Sequence, residues 1–182
     1  MTDRTQVLYA IVTGAPPAGT VNELVSLAQA DGWDVRVVAS PNGVRFLDTD
    51  ALEAQTGHPV RWEFKQPGTE DVLPPADAII AAPLTANSMA KWAAGIGDTL
   101  PLTLLVEAVG GGLPVVAIPH AKQALMNYPA VREAHERLAS WGVRFVRISG
   151  DGETGPFPWT NALSMLGEPL AAAGSATVCQ NR

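Results

Sequence analysis

The segment Ala81-Ala-Pro-Leu-Thr-Ala-Asn-Ser contains the most distinctive polar residue of the sequence, Asn87. This residue follows a predicted buried strand and falls in the first turn of a predicted helix. Asparagine is a poor helix former, but its side-chain amide can both donate and accept hydrogen bonds. Ligands of α/β sheets bind at the carboxyl ends of the strands. We therefore expect Asn87 to present its amide to a bound ligand.

Two glycine-containing loops carry groups suited to a phosphate. The first, residues 13–20, places Gly14 and Ala15 between a strand and a helix, where free N–H groups and the helix dipole favour an anion. It lacks the G-x-G-x-x-G fingerprint and the P-loop lysine, so neither NAD nor ATP is indicated. The second loop places Ser40 and Asn42 directly after the next strand, within reach of the same phosphate. Both loops also have a purely structural interpretation as turns and caps.

Strands alternate with helices along the chain, and this order positions the polar loops. Parallel strands need crossover connections, which are usually helices, so the pattern predicts an α/β fold: a three-layer Rossmann-like (flavodoxin-like) sandwich with a parallel sheet. Strands are predicted over residues 7–12, 34–39, 77–82, 115–118 and 143–148, with a short one at 61–64. Helices are predicted from residue 20, over 50–56 with Thr49 as the cap, and over 85–95, 98–109, 129–141 and 160–166.

Length and charge limit the classes of protein. A chain of 182 residues fits a single domain, for which we predict residues 1–170, followed by a flexible tail at 171–182. The net charge of -6 disfavours a nucleic-acid-binding surface. Charged residues make up only 16%, which suits either an ordinary alanine-rich protein or one whose surface is partly covered by copies of itself.

The cysteine count and hydropathy indicate the compartment. Cys179 is the only cysteine, which excludes a disulfide scaffold and favours a reducing cytoplasm. No apolar run approaches the roughly 20 residues of a membrane helix. Three scattered histidines and one distant cysteine give no metal-ligand spacing, so no metal site is predicted. We expect a cytoplasmic protein with no membrane or nucleic-acid partner.

The Asn87 segment resembles a known motif. It is similar to P-A-S/T-A-N-T-x-A-K-x-x-x-G-I-x-D-x-L of the homo-oligomeric flavin-containing cysteine decarboxylases, the family of phosphopantothenoylcysteine decarboxylase and the peptidyl-cysteine decarboxylases. The resemblance covers most of the chain in the right order, and Lys91 and Asp98 match the motif too. It implies bound FMN at an interface between subunits of a homo-oligomer, a trimer or a multiple of it. The implied substrate is a small molecule or peptide that ends in cysteine.

The same resemblance assigns site residues and a reaction. Oxidised flavin would take two electrons from the thiol, and the resulting thioaldehyde would act as an electron sink while the carboxylate leaves as carbon dioxide. Asn87 would position the substrate. The implied phosphate ligands are Gly14, Ala15, Ser40 and Asn42, and the implied lining of the flavin ring is Thr85, Ala86, Asn87 and Ser88.

The chain departs from the family in the segment Pro119-His-Ala-Lys-Gln-Ala-Leu-Met-Asn-Tyr-Pro129. Lys122 stands where the family has its carboxylate-binding asparagine. An ammonium group can also hold a carboxylate, as a point charge, so Lys122 is a candidate clamp; the alternative is a solvated surface lysine. The family histidine before the third main strand and the family cysteine after the last strand are both absent.

Two histidines and two tryptophans are further candidates. His58 lies in a long loop and reaches the site only if that loop folds back; it would then carry a proton. His120 follows a strand and either points at the flavin or caps the loop. Trp62 and Trp159 lie in predicted loops and are candidates for ligand or subunit contacts.

The sequence also fits other functions. The same scaffold fits an FMN-dependent oxidoreductase or a flavin-modifying enzyme. The departures from the family also fit a noncatalytic flavin-binding subunit that regulates a partner.

Overall fold

The sheet has five strands, all parallel. The computed structural model describes residues 4–70, 73–147 and 156–167. Strands follow the order β2-β1-β3-β4-β5 across the sheet. They are β1 (Val7–Val12), β2 (Asp34–Ala39), β3 (Ala78–Leu84), β4 (Val115–Pro119) and β5 (Arg144–Phe145). This confirms the predicted three-layer α/β fold, with the strand order of the flavodoxin-like class and its switch point between β1 and β3.

Seven α-helices connect or cover the strands in the described ranges. They are α1 (Val21–Ala30), α2 (Thr49–Thr56), α3 (Ala86–Ala93), α4 (Leu100–Gly110), α5 (Gln123–Met126), α6 (Pro129–Ser140) and α7 (Trp159–Gly167). Two 3-10 turns, Pro16–Thr20 and Val44–Phe46, follow β1 and β2. The predicted tail at 171–182 lies outside the described residues.

Side chains alternate between two separate cores. From β1, Leu8, Ala10 and Val12 pack with α1 and α7, whereas Val7, Tyr9 and Ile11 pack with α3, α4 and α6. Because successive residues of a strand point to opposite faces, both faces of a fully covered sheet must be apolar. The continuous apolar run of β1 is therefore the expected sequence for its central place.

Several local predictions were wrong. Asp48, not Thr49, caps α2: its carboxylate accepts the Ala51 N–H at 3.1 Å. The strand expected at 61–64 is a single bridge between Arg61 and Val38, because the loop touches β2 at one point only. Trp159, expected in a loop, begins α7; it is 1% exposed and belongs to the α1 core.

Thr13 joins β1 to β3 just beyond their regular pairing. Its hydroxyl donates to the Pro83 carbonyl at 2.8 Å and accepts the Thr85 N–H at 2.8 Å, and its own N–H also donates to Pro83 at 3.1 Å. The Ala82–Pro83 peptide is cis. The side chain is 2% exposed, so these bonds are shielded from water. Thr13 therefore fixes the point where the strand order reverses.

We predict that Thr13→Val destabilises the fold. Valine keeps the shape but leaves the Thr85 N–H without its acceptor, which costs about 1–3 kcal/mol in the free energy of unfolding. Urea unfolding measures this loss, and Thr13→Ser, which keeps the hydroxyl, is the matched control. Equal stability of the valine variant and the wild type would contradict the assignment.

Candidate functional site

Four strand ends meet at one edge of the sheet. The Ser40 N–H donates to the Val12 carbonyl at 2.8 Å, which links the loop after β2 to β1. The His120 N–H donates to the Leu84 carbonyl at 2.9 Å, which links the loop after β4 to β3. Together with the Thr13 junction, these bonds bring the predicted site segments into one continuous rim.

The loops after β1 and β2 touch each other through glycines. A methyl group on Gly14 would come within 2.8 Å of Asn42 Cβ, and one on Gly43 would come within 2.6 Å of the Val12 carbonyl oxygen. Ser40 Oγ accepts the Gly43 N–H at 2.9 Å, which closes the turn and leaves the hydroxyl hydrogen to donate elsewhere. The structure thus brings Gly14, Ser40 and Asn42 together, as predicted from their positions.

The donors of the first loop differ from the expectation. The turn after β1 is a 3-10 helix that begins with Pro16 and Pro17, which have no N–H, and the Ala15 N–H already donates to the Thr13 carbonyl at 2.8 Å. Ala15 is therefore a structural residue of the turn. In the described ranges, the N–H of Gly14 and the amide of Asn42 have no hydrogen-bond partner, so these groups and the Ser40 hydroxyl are the donors of this edge that a ligand could use.

The start of α3 presents Asn87 outward. Thr85 caps the helix: its Oγ1 accepts the Ser88 N–H at 3.3 Å and donates to Ser88 Oγ at 3.0 Å. Ala86 and Ser88 turn into the fold, at 5% and 7% exposed. The Asn87 side chain is exposed and bonds to none of the described residues. The sequence-predicted lining therefore reduces to Asn87, with Thr85 as its positioning cap.

Lys122 lies on the same rim, after β4. It is the N-cap residue of the short helix α5, and its side chain makes no capping bond. It is exposed, and no carboxylate of the described chain pairs with it. An unpaired ammonium two residues after His120 is suited to hold an incoming carboxylate.

His58 does not join this group. Its Nε2 lies 2.8 Å from Asp34 Oδ1, at the amino end of β2 and thus at the opposite edge of the sheet. Burial raises the pKa of the Asp34 carboxyl, but the Arg36 guanidinium, which donates to it at 2.8 Å, and His58 together bring that pKa below its ordinary value. The loop that carries His58 is therefore tied to β2 and does not fold back within the chain.

Sequence reasoning missed two contributors to the rim, Thr13 and Phe157, and placed Trp159 in a loop instead of at the start of α7. Thr13 ends an apolar run with a polar residue, which is the only signal of its buried role. Phe157 and Trp159, with ring centroids 4.6 Å apart, form a wall beside His120, and Trp159 Nε1 donates to Thr20 Oγ1 at 3.1 Å. Only the fold shows that this late segment returns to the loop after β1.

The described residues suit a phosphate-bearing ligand better than a metal. A phosphate needs closely placed donors, and Gly14 and Gly43 let the loops after β1 and β2 pack so tightly that a Cβ on either would meet Asn42 or the Val12 carbonyl. No cluster of three metal-ligating side chains occurs in the described ranges. None of the helices described there combines the length and hydropathy needed to cross a membrane.

Curated relatives share about 30% of their residues with the matched part of this chain. The coenzyme A biosynthesis bifunctional protein CoaBC of Thermococcus kodakarensis is 31% identical over 146 residues, which cover 75% of this chain and 36% of that protein. CoaBC of Escherichia coli K12 is 30% identical over 138 residues, 72% of this chain and 33% of that protein. The chain thus spans about a third of the length of these relatives.

Solved structures share the fold, and a family model matches most of the chain. The FMN-dependent cysteine decarboxylase SpaF superposes with a TM-score of 0.70 at 24% identity, covering 91% of this chain and 98% of that one. The peptidyl-cysteine decarboxylase EpiD has a TM-score of 0.70 at 20% identity, covering 91% and 100%. The Flavoprotein family model matches residues 2–166, so this chain belongs to the Flavoprotein family.

Proposed function

We propose that this protein binds FMN at the carboxyl edge of its sheet and oxidatively decarboxylates a thiol carboxylate of the cysteine type. The observation that carries the proposal is the exposed, unengaged amide of Asn87, held at the switch point by the Thr85 cap and the Thr13 junction. Asparagine is a poor helix former, and a bound ligand would explain why it stands in the first turn of α3. Family membership supports a flavin as that ligand.

The phosphate would lie between the first two loops. Gly14 supplies an N–H, Ser40 a hydroxyl and Asn42 an amide, and the missing side chains of Gly14 and Gly43 let the backbones approach. Such neutral donors hold a phosphate without a lysine. The exposed Arg45, four residues after the turn begins at Pro41, adds a positive charge to the same loop.

The reaction divides among a few groups. A bound flavin would supply the two-electron oxidant, with the hydride coming from the carbon next to the thiol. Asn87 orients the substrate by hydrogen bonding, and Lys122 holds its carboxylate as a point charge. The overall change is the loss of carbon dioxide and two hydrogens from the substrate. In the solved relatives named above, this class of substrate is a cysteine.

A homo-oligomer would complete the site. Large apolar side chains are exposed on the loops that flank it: Phe46 lies after the Asn42 turn at 43% exposed, and Leu125 and Tyr128 follow Lys122 at 54% and 62%. Exposed apolar groups beside a binding site suit contact with another copy of the chain. Trp62 and Phe64, at the outer side of β2, add a second such surface.

The proposal is tested with the purified protein. We expect a yellow protein that releases FMN or takes it up, and that converts a peptide ending in cysteine, or phosphopantothenoylcysteine, with loss of carbon dioxide and two hydrogens by mass spectrometry. FMN binding without conversion of either probe would refute the decarboxylation and leave the FMN-dependent oxidoreductase, the flavin-modifying enzyme and the noncatalytic flavin-binding subunit. A colourless protein that does not take up FMN would refute the flavin site itself.

We predict that Gly43→Ala weakens FMN binding. The new methyl group would meet the Val12 carbonyl oxygen at 2.6 Å and push the turn out of position. Gly19→Ala is the matched control, since its nearest neighbour would be at an ordinary 3.5 Å. Ser40→Ala removes a donor without adding atoms, and should weaken binding about tenfold, or about 1.4 kcal/mol. Flavin fluorescence titration measures all three; unchanged affinity in both turn variants would contradict the phosphate assignment.

We predict that Asn87→Asp impairs turnover far more than FMN retention. The carboxylate keeps the size but replaces the amide donor with a negative charge beside an anionic substrate, so kcat/KM should fall about 100-fold or more. The FMN dissociation constant should change about threefold at most. Asn161→Asp, on the exposed side of α7, serves as the control. Parallel loss of turnover and FMN would instead make Asn87 a cofactor or scaffold residue.

A further inference from the structure

His120 occupies the rim next to the Asn87 helix. It is the first residue after β4, and its N–H bond to Leu84 fixes it beside the residue that precedes the Thr85 cap. Pro119 and Leu84 are register partners in the sheet. The backbone of His120 is therefore locked to the strand end from which Asn87 is presented.

The ring of His120 has a defined place. It meets Phe157 edge-on, with ring centroids 6.0 Å apart and an interplanar angle of 68°. Phe157 leans in turn on Trp159, which is buried in the α1 core. The imidazole is half-buried. Proton transfer needs such a fixed group, because its efficiency depends on geometry.

The other two histidines of the sequence are occupied elsewhere. His58 pairs with Asp34 at the opposite edge of the sheet. His135 lies on α6 with its ring 4.0 Å from that of Phe145, and burial lowers its pKa despite the charge of Glu136. Cys179 lies outside the described residues. Among the residues that the structure describes, His120 is the only histidine at the rim.

In the part of the chain that the structure describes, the segments at the rim carry few charges. Residues 13–20, 85–90 and 156–167 contain no acidic or basic side chain. Lys122, two residues further along the chain, is the nearest cation in sequence, and Lys91 on α3 is engaged with Asp98. A substrate with its carboxylate at Lys122 would therefore bring its own thiol near the imidazole.

We propose that His120 accepts the thiol proton of the substrate and later returns it to the same sulfur; this inference rests on the proposed function. The S–H bond breaks as a hydride leaves the adjacent carbon for the flavin, and a C=S bond forms. The C–C bond to the carboxylate then breaks, carbon dioxide leaves, and the electron pair moves onto sulfur as an enethiolate. The imidazolium gives back its proton, and the product is the enethiol.

The test compares His120→Gln with His58→Gln in the FMN-loaded protein. Decarboxylation of a peptide ending in cysteine should fall about 100-fold or more in His120→Gln, within the range for a lost general base. The wild-type pH–rate profile should contain a limb due to the general base, and this limb should vanish only in the His120 variant. Added imidazole should rescue His120→Ala. A limb that persists in His120→Gln, or a loss shared by His58→Gln, overturns the inference.

A second readout needs no turnover. In protein labelled with ¹⁵N-histidine, each ring signal is assigned from its loss in the matching variant. FMN, followed by the cysteine peptide, should shift the His120 signals and leave those of His58 in place. Unshifted His120 signals overturn the assignment even when FMN binds. If wild-type protein binds FMN but converts no cysteine probe, the proposed function fails, and the proton role fails with it.

Discussion

The hydroxyl of Thr13 holds the functional edge together. One buried side chain donates to the Pro83 carbonyl and accepts the Thr85 N–H, so it satisfies two polar groups where β3 passes into α3. Thr85 is also the cap of α3, and its own position decides where Asn87 projects. Because a buried polar group without a partner is costly, the arrangement has little freedom to slide. The buried hydrogen bonds of Thr13 thus fix the position of Thr85 and, through it, of Asn87.

The sequence predicts the fold well where the signals are local. Apolar runs such as 7–12 and the proline and glycine boundaries predict the strands, because a parallel strand covered on both faces must be apolar throughout. The turn with Ser40 and the helix start with Asn87 are equally local. The position of His58 depends instead on the path of a long loop. Its partner Asp34 is 24 residues away in the chain, so no local signal predicts the pair. Trp159 was similarly unpredictable, since its partner Thr20 is 139 residues away.

The rim offers few charges to an anion. The net charge of the chain is -6, yet the three segments that form most of the rim contain no acidic side chain in their described residues. Donors there are backbone N–H groups, hydroxyls and amides, which are directional and are not neutralised by counterions. Phe157, backed by the buried Trp159, adds apolar surface on one side, and a low local dielectric strengthens hydrogen bonds. An anion at the rim would therefore be held by oriented hydrogen-bond donors more than by net charge.

Replacing an amide by the ammonium of Lys122 has a consequence for catalysis. A point charge stabilises the ground-state carboxylate, whose charge is lost as carbon dioxide forms, so this contact favours binding more than it favours bond cleavage. Acceleration must then come from groups that act on the other end of the substrate. In the proposed reaction, removal of the thiol proton and the hydride would create the electron sink, and His120, beside the Asn87 helix, would accept that proton. Lys122 and His120, two residues apart, would thus act on opposite ends of the substrate. Lys122 would hold the carboxylate that leaves as carbon dioxide, and His120 would exchange a proton with the sulfur that receives the electron pair.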